Sequence, residues 1–116
     1  MPPSQKPNAL LPGTLEMLVL KTLALEPMHA FGIGTRLTQI SRGVFQVNAG
    51  SLFPAFRRLE RDGLIKGDWR ETENRRRAKY YSLTPRGRRA LDTQTESWQA
   101  QSEAIGRILD ATPEEI

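Results

Sequence analysis

Residues 47–63 read VNAGSLFPAFRRLERDG, and the groups in this stretch that could do chemistry are guanidiniums. At about 100° per residue, Leu52, Ala55, Phe56 and Leu59 share one side of a helix. Gly50, Phe53, Pro54, Arg57 and Arg61 fall roughly opposite, with Ser51 at the entry. The first set is a core stripe. The second is short, rigid and cationic, and its N-terminal end carries no bulky charge. An arginine fork matches both acceptors of a guanine edge, and an apolar ring fits a thymine methyl. Arg58, on the flank, and Arg36, further upstream, are suited to phosphate. The plain alternative for each arginine is a solvated or salt-bridged side chain, with Glu60 and Asp62 the nearest acids.

A second cationic run lies in ENRRRAK, where Arg75, Arg76, Arg77 and Lys79 have only Glu71 and Glu73 close in sequence. Such a run tracks phosphates or reaches a minor groove. The net charge of +4 is unevenly spread: residues 36–89 carry 14 Lys or Arg against 5 acids, and residues 90–116 carry 1 against 6. A basic centre beside an acidic end points to a polyanion contacted by the middle of the chain.

Catalysis finds little support. His29 is the sole histidine, no cysteine exists to act as nucleophile or thiolate ligand, and Ser51 has no base or orienting acid near it in sequence. His29, just after Pro27, reads as a cap or packing residue. Glu114 and Glu115 read as a solvated end. No metal or cofactor is expected, and the chain is not expected to be an enzyme.

The elements that must position these groups follow from punctuation and period. A chain of 116 residues makes one small domain with room for an appendage. Residues 1–13, rich in Pro and polar residues, read as a flexible arm. Thr14 is placed as the cap of a first helix with Leu15, Leu18, Val19, Thr22 and Leu23 on one face. Met17, Leu20 and Ala24 lie on the other face and call for a second cover. Ile33, Leu37 and Ile40 are spaced as the buried face of a second helix, which Gly43 stops. In the third helix a cap at Gly50 or Ser51 is expected, because a cap at Asn48 would put Pro54 well inside and cost a hydrogen bond.

LIKGDW and KYYSL then read as two strands around the loop RETENRRRA. Three helices followed by a strand, a basic loop and a strand make a winged helix-turn-helix, mainly α with a small β-hairpin, over residues 14–83. The third helix is then the reader of double-stranded DNA, and the hairpin is its wing. Thr84 caps a last helix, with Pro85 in its first position, over residues 84–110, and 111–116 form a tail. Leu91, Trp98 and Ile105 recur every seven residues, with Thr95, Ser102 and Leu109 on the same side, as in a sparse coiled-coil seam. Covering that seam takes a second copy of the chain, so Met17, Leu20, Leu91, Trp98, Ile105 and Leu109 are expected at a homodimer interface. Small residues beside Trp98 leave a slot for a flat aromatic effector, against the plainer reading that the ring fills the interface.

The most apolar run, LEMLVLKTLALEPM, contains Glu16 and Lys21 and is too short and charged to span a bilayer. It lacks the flanks of a cleaved signal, so no membrane partner and a cytoplasmic location are expected.

Three segments, GTLEMLVLKTLALEPMHAFGI, VNAGSLFPAFRRLERDGLI and RRRAKYYSLTPRGRRAL, together resemble the PadR family of bacterial transcriptional regulators over about Pro12 to Trp98. The single helix after the wing is similar to the subfamily with small C-terminal domains. The resemblance implies a homodimeric repressor on a palindromic operator, with DNA affinity often altered by a small molecule. In drug-responsive members a tryptophan at a place similar to Trp98 takes part in ligand binding. The family commonly has Gly-Tyr where this chain has Ala30 and Phe31, and Tyr where it has Phe53, so a hydroxyl-mediated contact cannot be carried over to either ring. The competing reading is a winged helix that serves protein assembly without DNA, which would have no need of the basic centre.

Overall fold

Gly13 turns the chain into its first helix with a left-handed φ of 83°, which only a residue without Cβ adopts freely. The computed structural model describes residues 13–115, so the expected arm falls outside it apart from Gly13. Helix α1 spans Thr14–Leu25, and Thr14 is its first helical residue rather than its cap; no side chain caps this end.

Val19, Leu20, Thr22 and Leu23 of α1 are buried, and the Thr22 hydroxyl donates to the Leu18 carbonyl at 2.7 Å, which satisfies the one buried polar side chain among the described residues. Leu20 is fully buried, which corrects its assignment to a dimer face. The second cover that α1 required is supplied from within the chain, by elements packed around it on several sides.

A two-residue strand, β1 (Met28–His29), follows, and helix α2 covers Ala30–Ile40. His29 caps α2 through Nδ1, which accepts from the Gly32 N–H at 3.0 Å. Ile33 and Leu37 enter the core, but Ile40 is 58% exposed, because the helix ends there beyond the edge of its neighbours. Gly43, at φ 81°, closes that end by donating to the Thr38 carbonyl at 2.8 Å.

Helix α3 runs Ala49–Arg61, and Asn48 is its cap, with Oδ1 accepting from the Ser51 N–H at 3.0 Å. Pro54 therefore lies inside the helix, contrary to the sequence expectation. The bond that it forgoes would have gone to the carbonyl of Gly50, which is exposed, so water can replace it and the usual penalty of an interior proline is reduced.

Strands β2 (Ile65–Glu71) and β3 (Arg77–Leu83) are each longer than expected and shrink the loop to a turn at residues 72–76. The sheet is antiparallel in the order β1-β3-β2, one strand more than the hairpin. Helix α4 (Pro85–Leu109) is capped by Thr84, whose hydroxyl oxygen accepts from the Gly87 N–H at 3.0 Å and donates to the Gly63 carbonyl at 2.7 Å. Of α4 only Gly87 and Leu91 are buried, Leu91 in the same core as Leu20 and Phe56; this corrects its assignment to the seam. Beyond Leu91 this helix of 25 residues, about 37 Å long, leaves the core, and up to Ile105 it runs beside the start of α1.

Candidate nucleic-acid interface

The buried face of α3 carries Leu52, Ala55, Phe56 and Leu59, and Phe56 meets the Tyr81 ring at 4.5 Å between centroids. That contact seats the helix on the sheet and turns Ser51, Phe53, Arg57 and Arg61 to solvent, with Pro54 half-buried beside them. Phe53 is 49% exposed. Gly34 of α2 lets α3 approach closely: a Cβ there would lie 2.9 Å from Leu52 Cδ1.

The cations divide into free and tethered groups. Arg57 has no ion-pair partner among the described residues. Arg61 meets Asp62 at 3.2 Å and Arg36 meets Glu26 at 2.9 Å, both on the surface, where such pairs contribute about 0–1 kcal/mol and yield readily to phosphate. Arg58 is tethered more firmly: its Nε donates to Oε1 of Glu16 at 2.8 Å and Nη2 reaches the same oxygen, tying α3 to α1. A phosphate contact by Arg58, as expected, would compete with this pair.

On the wing, Arg75 sits at the tip with φ 57°, and the turn is closed by the Thr72 N–H donating to the Arg76 carbonyl at 2.7 Å. Arg75, Arg76 and Arg77 are exposed. Lys79 is not free: its ammonium pairs with Glu60 of α3 at 3.1 Å and lies 5.4 Å from the Tyr81 ring centre. Sequence reasoning also missed Trp69 on β2, 60% exposed, with the Arg77 guanidinium 5.4 Å from its ring centre. The period of two that places Ile65 inward puts Trp69 on the same sheet face, and that signal was available in IKGDW.

Away from this surface, Trp98, Ile105 and Leu109 of α4 are 48%, 55% and 78% exposed, and Ile108, absent from the expected seam, is 72% exposed. Trp98 and Ile105 line a groove of about 750 Å³ with Met17, Thr14 and Gly13 at the start of α1. Ser102 borders this groove, whereas Thr95 is not among its lining.

Residues 19–93 match the model of the transcriptional regulator PadR-like family. The chain belongs to that family. A PadR-like protein is a transcriptional regulator and not an enzyme. The similar proteins include the transcriptional regulator Rv3488 of Mycobacterium tuberculosis, 40% identical over 77 residues that cover 66% of this chain and 68% of that one. A 37.1 kDa protein of transposon Tn4556 from Streptomyces fradiae is 34% identical over 87% of this chain, a stretch that spans only 27% of that protein's length. Among solved structures, a PadR family transcriptional regulator from Eggerthella lenta aligns with a TM-score of 0.74 at 31% identity, covering 86% of this chain and 85% of that one. A PadR-like transcriptional regulator from Bacillus cereus aligns with a TM-score of 0.77 at 26% identity, covering 86% and 95%. The PadR-like fold is thus mainly helical with a small antiparallel sheet, and no helix among the described residues is long and apolar enough to cross a membrane.

Proposed function

We propose that this PadR-like regulator binds duplex DNA as a homodimer in the cytoplasm, with α3 in the major groove and the wing on the flanking backbone, and represses transcription from a palindromic operator. The observation that carries the reading is the outer face of α3, where unpaired Arg57 stands with Ser51, Phe53 and Arg61, flanked by the exposed Arg75 and Arg76 of the wing. Arg57 and Phe53 read bases; Arg36, Arg61 and the wing arginines meet phosphate. Dimerisation is supported by the apolar side chains left in water on α4, Trp98, Ile105, Ile108 and Leu109, a patch of the kind that marks an interaction surface. Two chains joined there would bring two copies of α3 to successive major grooves.

The groove beside Trp98 is large enough for a planar aromatic effector that relieves repression. Such a compound should quench Trp98 emission and shift DNA affinity.

Selection of sites from random duplexes by the purified protein tests the reading. An enriched palindrome whose affinity falls steeply with salt, with a logarithmic slope on the order of −5 per dimer, is the expected result. Failure to enrich any duplex would favour the protein-assembly module instead.

A further inference from the structure

Trp69 is an unusual residue to leave in water at the end of a small sheet. On β2 and β3 the residues sharing one face are Ile65, Gly67, Trp69 and Glu71, opposite Leu83, Tyr81, Lys79 and Arg77 in register. The first rungs of this ladder serve the fold: Ile65 is in the core, and Tyr81 packs on Phe56. The next rung joins Lys79 to Glu60 of α3. Trp69 is the cross-strand partner of Lys79, so its ring stands at the rung that joins the sheet to α3.

Glu60 lies about 60° around α3 from Arg57, since three residues turn an α-helix through about 300°. The sheet face that carries Trp69 is thus the one joined to α3 within a turn of Arg57. Over the ring lies the guanidinium of Arg77, 5.4 Å from its centre. Arg77 is directly opposite Glu71 in register, and Glu73 is in the adjoining turn, yet Arg77 forms no ion pair among the described residues. Its charge is held in place by a π face rather than neutralised by a carboxylate, and so remains available to an anion. An arginine stacked on an indole loses less freedom when it meets a phosphate than one that must be ordered from solution.

We infer that Trp69 and Arg77 form one contact unit for the DNA backbone, in which the indole packs on a deoxyribose beside the groove read by α3 and holds Arg77 on the adjoining phosphate. The unit rests on the proposed DNA-binding reading and adds to it a positioning residue outside the basic run. The partner is the sugar-phosphate of duplex DNA rather than another protein, because the ring is paired with an uncompensated cation and neighboured by the exposed Arg75 and Arg76.

The test uses the full chain labelled with 5-fluorotryptophan and a fluorescein-tagged duplex recovered by the selection above. Anisotropy of the tagged duplex reports binding, and the two fluorine resonances, assigned by the loss of one in Trp69→Phe, report each indole. Expected are binding together with a shift of the Trp69 resonance. Trp69→Leu should bind about two- to fivefold more weakly, the scale of an exposed cation–π contact, and Trp69→Phe should recover most of the loss. Arg77→Gln should flatten the salt slope by about 2 per dimer, one phosphate per chain. In an Arg77→Gln background, Trp69→Leu should then cost much less, since the ring acts in part through that side chain. Thermal melting of each variant separates these effects from loss of fold. Binding with an unmoved Trp69 resonance, or strictly additive losses for the two substitutions, overturns this unit and leaves the DNA reading intact. Absence of binding to any duplex overturns both.

Discussion

The ammonium of Lys79 on β3 lies 3.1 Å from Oε1 of Glu60 on α3, so the wing and α3 are joined midway along the wing. The hydrogen bond to Glu60 raises the Lys79 pKa above its ordinary value of 10.5, against a smaller opposing effect of burial. A folded pKa above the unfolded one stabilises the protein fully below the unfolded value, and that contribution disappears as pH rises through the folded value. Glu60→Gln should thus lower stability by about 0.2–1 kcal/mol near neutral pH. The difference from wild type should vanish in strong alkali, as read by denaturant melts at both pH values.

Arg57 and Arg58 are neighbours in sequence, but Arg58 is bound to Glu16 while Arg57 has no ion-pair partner among the described residues. Arg57→Ala should cost about 1–3 kcal/mol of DNA affinity and relax sequence preference while leaving the melting temperature near wild type. Arg58→Ala should chiefly lower stability. A double-mutant cycle with Glu16→Ala should return a coupling of roughly 0.5–1 kcal/mol in thermal melts.

Phe53 is half exposed on the outer face of α3, and the proposed reading gives its ring, which carries no hydroxyl, a contact with a thymine methyl. Replacing operator thymines by uracil one at a time deletes only the C5 methyl, and at one position of each half-site affinity should fall by about 0.8 kcal/mol. Phe53→Ala protein should be indifferent to that replacement in a competition binding assay.

The dimer should depend on the projecting part of α4. Because Leu91 belongs to the core, deleting all of α4 would unfold the chain and test nothing. Ile105→Asp combined with Leu109→Asp removes apolar surface that is already exposed in the single chain. Sedimentation should show the wild type as a dimer and the double variant as a folded monomer with weakened operator binding.

At Gly87, α4 approaches the chain closely, since a Cβ there would collide with the Leu64 carbonyl. Gly87→Ala should destabilise by about 1–3 kcal/mol in denaturant titration, the range for overpacking.

Much of this arrangement was legible in the sequence. The stripe Leu52, Ala55, Phe56 and Leu59, the cap at Thr84 and the stop at Gly43 follow from period and local hydrogen bonding. Charge pairing was harder to read. Arg58 and Lys79 looked like their free neighbours, and their partners Glu16 and Glu60 are distant in sequence, so only the packed fold brings them together. Leu20 and Leu91 were misassigned for a related reason, because α4 folds back on α1 and fills a face that a helical wheel shows as open. Pro54 was misplaced because an exposed carbonyl tolerates the loss of its partner, which sequence alone does not disclose. Strand β1, at two residues, is too short to leave any periodic signature.

That short strand also covers part of a segment prone to pair with copies of itself. KYYSL in β3 combines aromatic residues with strand propensity, the composition of a segment that adds readily to copies of itself. In the sheet order β1-β3-β2, Met28 and His29 occupy one side of its Tyr80 and Tyr81, while β2 occupies the other. One outer edge of the sheet falls to β2, whose Lys66, Asp68, Arg70 and Glu71 discourage an incoming strand. Tyr80 and Tyr81 are thus kept at the centre of the sheet, and an incoming strand can pair with them only after one of the two neighbouring strands separates.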